Sequence, residues 1–283
     1  MAEEGHSSGA SGIADHLHYW SYKFDDSNPF MQIHLDTMLT TIIVATCLVV
    51  FAKWLGGRLT DGAPTGAQNF MESVVGFVDD TVKDNFPVHN PIIAPLALTV
   101  FIFIFLLNCL DILPAFLSGH IAGLFGLEHY RQVPTNDLNL PVAMAISVFA
   151  MVLYYEFKLK PVHFCKELLL QPFASLLLEA KNPVVKLLGV ALIPLNLTLK
   201  IVEELAKPLS LSFRLFGNMF AGEVIFLLIA FLLLGGGAVG MAAGFFVGIA
   251  WSIFHMFIGL LQAFIFMILT VVYLSIAHQP VEH

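Results

Sequence analysis

One arginine, Arg214, lies in a long apolar stretch that runs from Lys207 to Glu223 and reads KPLSLSFRLFGNMFAGE. No Asp, Glu, Lys or Arg follows Glu223 until Glu282, so this arginine is expected to lie within a membrane. A guanidinium at bilayer depth costs about 2.5–3.5 kcal/mol and cannot lose its proton to avoid that cost. We expect either a functional residue, or an arginine that reaches the interface or pairs structurally with a neighbouring helix.

Helical geometry places the polar residues of this stretch on two sides of one helix. At about 100° per residue, several polar or small residues fall within about 40° of one line: Glu203, Lys207, Ser210, Arg214, Asn218 and Ala221. Glu203 and Lys207 have the i, i+4 spacing of a favourable ion pair. Glu223 points to the opposite side, so we predict that Arg214 and Glu223 face different partners.

A second stripe of polar and small residues follows in the last apolar stretch. Its members are Gly244, Gly248, His255, Gly259, Gln262, Phe266 and Tyr273. If the two helices form a hairpin, His255 is a candidate partner for Glu223, and Gln262 is one for Arg214. A desolvated glutamate beside a histidine can relay protons. Ordinary interhelical hydrogen bonding is the alternative for Gln262 and Tyr273. A fixed cation with a separate relay favours ion translocation over substrate binding.

The composition is that of a membrane protein. Hydrophobic residues make up 58% of the chain, charged residues 12%, and the mean hydropathy is +0.82; soluble domains carry about twice that share of charge. A net charge of −8 without a basic cluster argues against a nucleic-acid partner. The three cysteines have neither disulfide nor metal-ligand spacing. No HExxH, P-loop or serine-hydrolase motif occurs, and the histidines form no metal-ligand cluster, so we expect no metal, no cofactor and no catalytic residue in this chain.

The apolar runs predict an all-α polytopic membrane protein, with an N-terminal tail at 1–36 and one membrane domain at 37–283. Three transmembrane spans are predicted, at 37–55, 92–113 and 141–157. Residues 69–86 alternate apolar and charged faces, which predicts an amphipathic helix at the cytoplasmic surface. Basic residues follow the first and third spans, so the acidic tail is expected outside the cell.

The C-terminal half contains longer apolar stretches. Residues 172–199 are interrupted by charges and prolines, which predicts an interfacial or re-entrant segment. Residues 196–234 and 239–277 would form helices about 60 Å long, twice the hydrocarbon thickness, so each must be tilted, broken or in the membrane plane. We predict a turn at the glycines between them. Glycines at i, i+4 spacing predict close helix approach: Gly236, Gly240, Gly244 and Gly248.

The sequence resembles subunit a of the F-type ATP synthase over nearly its whole length. The resemblance is carried by EELAKPLSLSFRLFGNMFAGE (Glu203–Glu223) and WSIFHMFIGLLQAFIFMILTVVYLS (Trp251–Ser275). Supporting stretches are PLALTVFIFIFLLNCLDILP (Pro95–Pro114) and VPTNDLN (Val133–Asn139). The RLFGN core around an intramembrane arginine is a highly specific motif. The stretch Ser175–Val190 is longer than is usual in bacterial members.

The resemblance implies a subunit that is not catalytic on its own and belongs to the proton-transporting ATP synthase of the bacterial inner membrane. Its implied partners are the c-subunit ring, the peripheral-stalk b subunits, the remainder of the complex and membrane lipid. Protons would be its only small substrate. Its N-terminus would be periplasmic, its C-terminus cytoplasmic, and its two long tilted helices would form a hairpin along the ring.

The resemblance also implies roles for individual residues. Arg214 aligns with the family's essential arginine, which faces the c-ring carboxylate, favours proton release from it and blocks a direct leak between two offset half-channels. Residues aligned with the proton path are Glu223, His255, Asn218 and Gln262. Asn108 and Asp111 match polar positions of the outer access channel. Glu203, Lys207 and Ser210 would lie towards the cytoplasmic exit, and Tyr273 is expected to line a half-channel.

Two other classes of function remain open from the residues alone. In a secondary transporter, Arg214 would bind an anionic substrate at a broken helix, which predicts inverted repeats and uptake without other subunits. An intramembrane enzyme needs a metal or nucleophile constellation, which the sequence does not display. A path lined by Glu and His suits protons, but the choice between protons and sodium depends largely on the ring's carboxylate site.

Overall fold

The computed structural model describes residues 21–23, 32–59, 62, 66–86, 88, 90–112, 133–170 and 189–279. Most of the predicted tail at 1–36 lies outside the described residues. So do residues 172–188, which include most of the predicted interfacial segment and of Ser175–Val190.

The described residues are predominantly helical. The helices are α1 (Leu35–Gly56), α2 (Ala67–Asn85), α3 (Ile93–Cys109), α4 (Asn139–Leu159), α5 (Pro161–Leu170), α6 (Ile193–Gly235) and α7 (Gly237–His278). Single 3₁₀ turns follow α3 at Leu110–Ile112 and precede α4 at Pro134–Asn136. Strand β1 (Ser21–Lys23) pairs antiparallel with β2 (Gln32–His34), which leads directly into α1. The all-α prediction missed this ladder, because three residues per strand are too few to display an alternating pattern.

Four helices are long and apolar enough to cross a membrane: α1, α4, α6 and α7. Helix α3 is apolar but shorter, at 17 residues, and its predicted span continues into the following 3₁₀ turn. Large apolar side chains lie exposed along α1, among them Ile42, Ile43 and Val50. A surface of that kind is suited to lipid rather than to water. The fold fits a polytopic helical membrane protein.

Helix α2 has the amphipathic character that the sequence predicts. Val78 and Val82 are buried, and the ring of Phe77 contacts the rings of Phe101 and Phe264. On the polar side, Lys83 lies 2.6 Å from Asp79. The hydrogen bond with Asp79 and the charge of that carboxylate raise the pKa of Lys83.

The chain forms two compact units. The first unit comprises the described residues within Met1–Asn69, Ile102–Leu140 and Gly217–Ala263. The second unit comprises those within Phe70–Phe101, Pro141–Phe216 and Phe264–His283. Each unit contains one cluster of the polar residues singled out by the sequence.

The predicted turn between the long helices is confirmed. Helix α6 ends at Gly235 and α7 begins at Gly237, whose φ of 58° is a left-handed conformation that favours glycine. A Cβ added at Gly236 would lie 2.8 Å from the carbonyl oxygen of Leu232, and one at Gly244 would lie 2.7 Å from Cγ of Leu233. The predicted close approach at the glycine stripe is therefore also confirmed. Residues 193–195, predicted only as part of the interfacial segment, belong to α6, as do residues 196–199, where the two predicted segments overlapped.

Candidate functional site

The histidine cluster of the first unit is centred on His255, which is only 3% exposed. Its Nε2 lies 2.5 Å from Oδ2 of Asp111 in the 3₁₀ turn after α3. The two atoms are in ion-pair contact without hydrogen-bond alignment, and Nδ1 of His255 has no hydrogen-bond partner among the described residues. A buried imidazole beside a carboxylate can exchange protons with it, since both groups bind protons reversibly.

A glycine on α6 makes room for this imidazole. A Cβ added at Gly222 would overlap the ring of His255 at Cε1, Nδ1 and Nε2. The aromatic rings of Phe226 and Trp251 flank the histidine at centroid distances of 5.5 and 6.1 Å. His255 therefore occupies a slot on α6 that exists because Gly222 has no side chain.

Asn108 fixes the part of α3 that precedes Asp111. Its Nδ2 donates to the carbonyl oxygen of Gly259 at 3.1 Å, and its Oδ1 accepts from Oγ1 of Thr135 at 3.1 Å. A Cβ added at Gly259 would lie 3.2 Å from Cβ of Asn108. Both Asn108 and Thr135 are buried, so their mutual hydrogen bond satisfies polar atoms that would otherwise be costly.

The two predicted amides of the proton path meet in the first unit. Nδ2 of the exposed Asn218 donates to Oε1 of the buried Gln262 at 2.8 Å. The predicted contact of Gln262 with Arg214 stays a prediction. Glu223 is exposed on α6, directly after Gly222, and its predicted pairing with His255 also stays a prediction.

The lysine cluster of the second unit contains two ammonium groups among carboxylates. Lys200 is buried, and its Nζ lies 3.0 Å from Glu167, 3.2 Å from Glu203 and 3.4 Å from Glu204. Nζ of Lys207 donates to both oxygens of Glu204 at 2.7 Å. Glu204 thus contacts both lysines.

The predicted Glu203–Lys207 pair is wrong. Lys207 pairs with Glu204, whereas Glu203 pairs with Lys200. The side chain of Glu203 is 60% exposed and that of Glu204 only 8%. Because water screens an exposed pair, the buried carboxylate attracts Lys207 more strongly.

A small cavity adjoins the lysine cluster. Lys207 and Tyr273, both predicted to line a half-channel, border it with Pro208 of α6. The remaining lining residues are Ala145, Val148, Phe149, Val152 and Leu211. Proline has no N–H, so Pro208 leaves the carbonyl of Glu204 without its helical donor. Oε2 of Glu156 is buried without a hydrogen-bond partner among the described residues, and this carboxylate interacts electrostatically with Glu204 and Lys207.

Arg214 lies at the border between two faces of α6. Leu211 and Leu215 are buried, Ser210 and Phe213 are exposed, and Arg214 itself is half-buried. Within the described part of the second unit, no acidic side chain makes an ion pair with it. The guanidinium thus lies between the buried and the exposed positions of this part of α6.

Several polar residues of these clusters were not singled out as site residues by the sequence: Thr135, Glu156, Glu167, Lys200 and Glu204. Thr135 lies within the VPTNDLN stretch, which is a local signal. Glu156 and Glu167 lie far along the chain from α6, and their proximity to its lysines is a tertiary effect with no local sequence signal.

Comparison with known proteins identifies the family. The family model described as ATP synthase A chain matches residues 38–275. This chain belongs to the ATP synthase A chain family. The match includes α6 with Arg214 and Glu223, α7 up to residue 275, and the turn that contains Asp111.

Relatives within the ATP synthase A chain family are similar over most of their length. The chain is 41% identical to ATP synthase subunit a 1 of Methylococcus capsulatus over 280 residues, which is 99% of each chain. It is 46% identical to ATP synthase subunit a of Pseudomonas aeruginosa over 254 residues, covering 88% of this chain and 85% of that relative. It is 40% identical to ATP synthase subunit a of Glaesserella parasuis over 272 residues, covering 95% and 98%.

Replacing Glu204 by Gln is expected to destabilise this family member by about 1–3 kcal/mol, because two lysines lose a desolvated carboxylate at once. Glu203→Gln is the matched control, since it removes one exposed contact to Lys200 and should cost about 0–1 kcal/mol. Thermal unfolding of the detergent-solubilised protein measures both. Equal midpoints for the two variants would contradict the role given to Glu204.

Proposed function

We propose that this chain is the proton-conducting stator subunit of a rotary F-type ATP synthase in a bacterial inner membrane. It is not catalytic on its own. It couples the flow of protons across the membrane to rotation of a c-subunit ring, and thereby to ATP synthesis. The observation that carries the proposal is a half-buried Arg214 without an acidic partner among the described residues of its own unit, on a helix of the ATP synthase A chain family.

Arg214 in this proposal faces the carboxylate of a ring subunit. A guanidinium always keeps its charge, so it favours the ionised carboxylate and hence release of its proton. The same fixed charge repels protons that would otherwise leak directly from one half-channel to the other. A lysine would be a weaker substitute because it lacks the planar fork of donors.

Two half-channels serve the two sides of the membrane. The outer one includes the histidine cluster with Asn108 and Asp111, and Glu223, Asn218 and Gln262 line the path between it and the ring. The inner one is supported by Lys207 and Tyr273 at the cavity and by the polar side chains of Glu203 and Ser210. The buried His255 and the carboxylate of Asp111 form a pair that can hold and release a proton, which suits protons better than sodium.

The proposed topology follows the distribution of charge. Basic residues Lys53 and Arg58 lie at the end of α1, and Lys158, Lys160 and Lys166 lie around the end of α4. Both ends are therefore assigned to the cytoplasm. The N-terminal tail is then periplasmic, α2 lies on the cytoplasmic surface, and the C-terminus is cytoplasmic.

Purification tests this proposal against the alternatives. A tagged copy of the chain, extracted in a mild detergent from its native membrane, is expected to copurify with the c-ring, the peripheral-stalk b subunits and the remainder of the ATP synthase. A secondary transporter or an intramembrane enzyme would purify without them. Recovery of the chain without a c-ring, under conditions in which the synthase stays intact, would overturn the proposal.

A further inference from the structure

A polar cluster lies at the start of α1 in the first unit and comprises His34, Asp36, Thr37, Asp137 and Asn139. Three donors surround the carboxylate of Asp137, which is only 4% exposed. Nδ1 of His34 lies 2.5 Å from Oδ2, and Oγ1 of Thr37 donates to the same oxygen at 2.9 Å. The backbone N–H of Asn139 donates to Oδ1 at 3.1 Å.

His34 differs from the other members of this cluster in two respects. Among the described donors to Asp137 it alone is an imidazole, and its side chain is 18% exposed where Asp36 is fully buried. Since Nδ1 faces Asp137, Nε2 is the nitrogen left to exchange with water. Among the described residues, the ionisable groups gathered here are one imidazole and the two carboxylates of Asp36 and Asp137.

Polar groups continue from this cluster towards His255. Asp137 directly follows the 3₁₀ turn that contains Thr135, whose hydroxyl donates to Asn108. Asp111 lies one turn after Asn108 and contacts His255. The whole sequence of groups lies within the first unit.

We propose that His34 is the proton-collecting residue at the outer end of the path, an inference that rests on the proposed function. Nε2 of neutral His34 takes a proton from hydronium, which forms an N–H bond and leaves water. The Nδ1–H bond then breaks as an O–H bond forms at Oδ2 of Asp137, which leaves a neutral imidazole with its proton on Nε2. Rotation of the ring about its Cβ–Cγ bond then turns this N–H towards Asp137 and the bare nitrogen towards water, ready for the next proton. The carboxylic acid of Asp137 next loses its proton to water further along the path, and its carboxylate is restored.

The rate at which free protons reach the path explains why a proton-collecting residue such as His34 would be needed. At pH 8 free protons are at about 10 nM, and capture at a rate constant on the order of 10¹⁰ M⁻¹s⁻¹ delivers only about 100 protons per second to one site. That supply is comparable with the turnover of many enzymes, about 1–10³ s⁻¹. An imidazole exchanges protons between about pH 5 and 8, and neighbouring carboxylates raise the local proton concentration. His34 should therefore limit the rate only when the outer side is alkaline.

The test uses the whole synthase in liposomes, with the lumen as the outer side and a fixed voltage driving ATP synthesis. The variant His34→Gln keeps a donor for Asp137 but cannot relay a proton. Its rate is expected to fall roughly fivefold at a lumenal pH of 8 and to match wild type at pH 6. The control is His163→Gln on α5, where the imidazole is 43% exposed and lies 3.8 Å from Glu167; this variant should be unaffected at both pH values.

A second variant separates a relay from a structural role. His34→Ala should lose the alkaline rate, and added imidazole should restore at least half of it. Unchanged rates for His34→Gln at pH 8, equal losses at both pH values, or no rescue by imidazole would each overturn the inference. Synthesis of ATP by the wild-type liposomes tests the proposed function separately, because it needs no contribution from His34 at pH 6.

Discussion

Replacing Arg214 by Ala is expected to abolish ATP-driven proton pumping while leaving assembly of the complex largely intact. Arg214 stabilises the carboxylate left by proton release in a desolvated site, so its loss should lower the pumping rate at least about 100-fold. Assembly should persist because Arg214 makes no ion pair with the described residues of its unit on which the fold could depend. Quenching of a pH-sensitive dye in inverted membrane vesicles measures the pumping.

Arg58→Ala provides the matched control for Arg214→Ala. Arg58 follows α1, where its guanidinium lies 4.3 Å from the ring of Trp54, and this contact has no place in the proton path. The control variant should pump at the wild-type rate. Coupled pumping that survives in Arg214→Ala at more than a tenth of the wild-type rate would contradict the role given to this arginine.

Replacing Gly222 by Ala is expected to lower proton conduction at least about tenfold. The added methyl group would overlap the imidazole of His255, so the ring must leave its slot and its contact with Asp111. Small displacements of a catalytic group by about 1 Å can cost about 100-fold in rate. Proton flux through membrane vesicles stripped of the catalytic sector reports this loss without ATP hydrolysis.

Gly248→Ala is the matched control in the same hairpin. A Cβ at Gly248 would lie 3.5 Å from Cγ2 of Ile229, which is ordinary van der Waals contact. This variant should conduct protons normally and assemble as wild type does. If Gly222→Ala conducts as well as Gly248→Ala, His255 does not need its slot, and the relay assigned to it is wrong.

The sequence predicted the long elements well because their signals are local. An apolar run and the charges that flank it belong to a single helix. The bounds of α1, α4, α6 and α7 lie within a few residues of the predicted ones. The glycine turn was predictable for the same reason, since Gly237 needs a conformation that other residues avoid.

The partners of the site residues were harder to predict, because helical spacing does not choose between neighbours. Lys207 lies within reach of both Glu204 at i−3 and Glu203 at i−4. It pairs with Glu204, because that carboxylate is the buried one of the two. Asp111 was predicted as a polar position of the outer channel, but its contact with His255 joins segments far apart in the chain. Burial and long-range contacts arise only when the helices pack together, so no repeating pattern in the sequence predicts them.

The most direct test of the central claim is passive proton flux through the reconstituted membrane sector. Liposomes containing the c-ring and peripheral stalk, with or without this chain, receive a potassium diffusion potential, and a pH-sensitive dye records proton movement. The account predicts flux when the ring and this chain are both present, and none when either is omitted. Equal flux without this chain would contradict its assignment as the proton-conducting stator subunit.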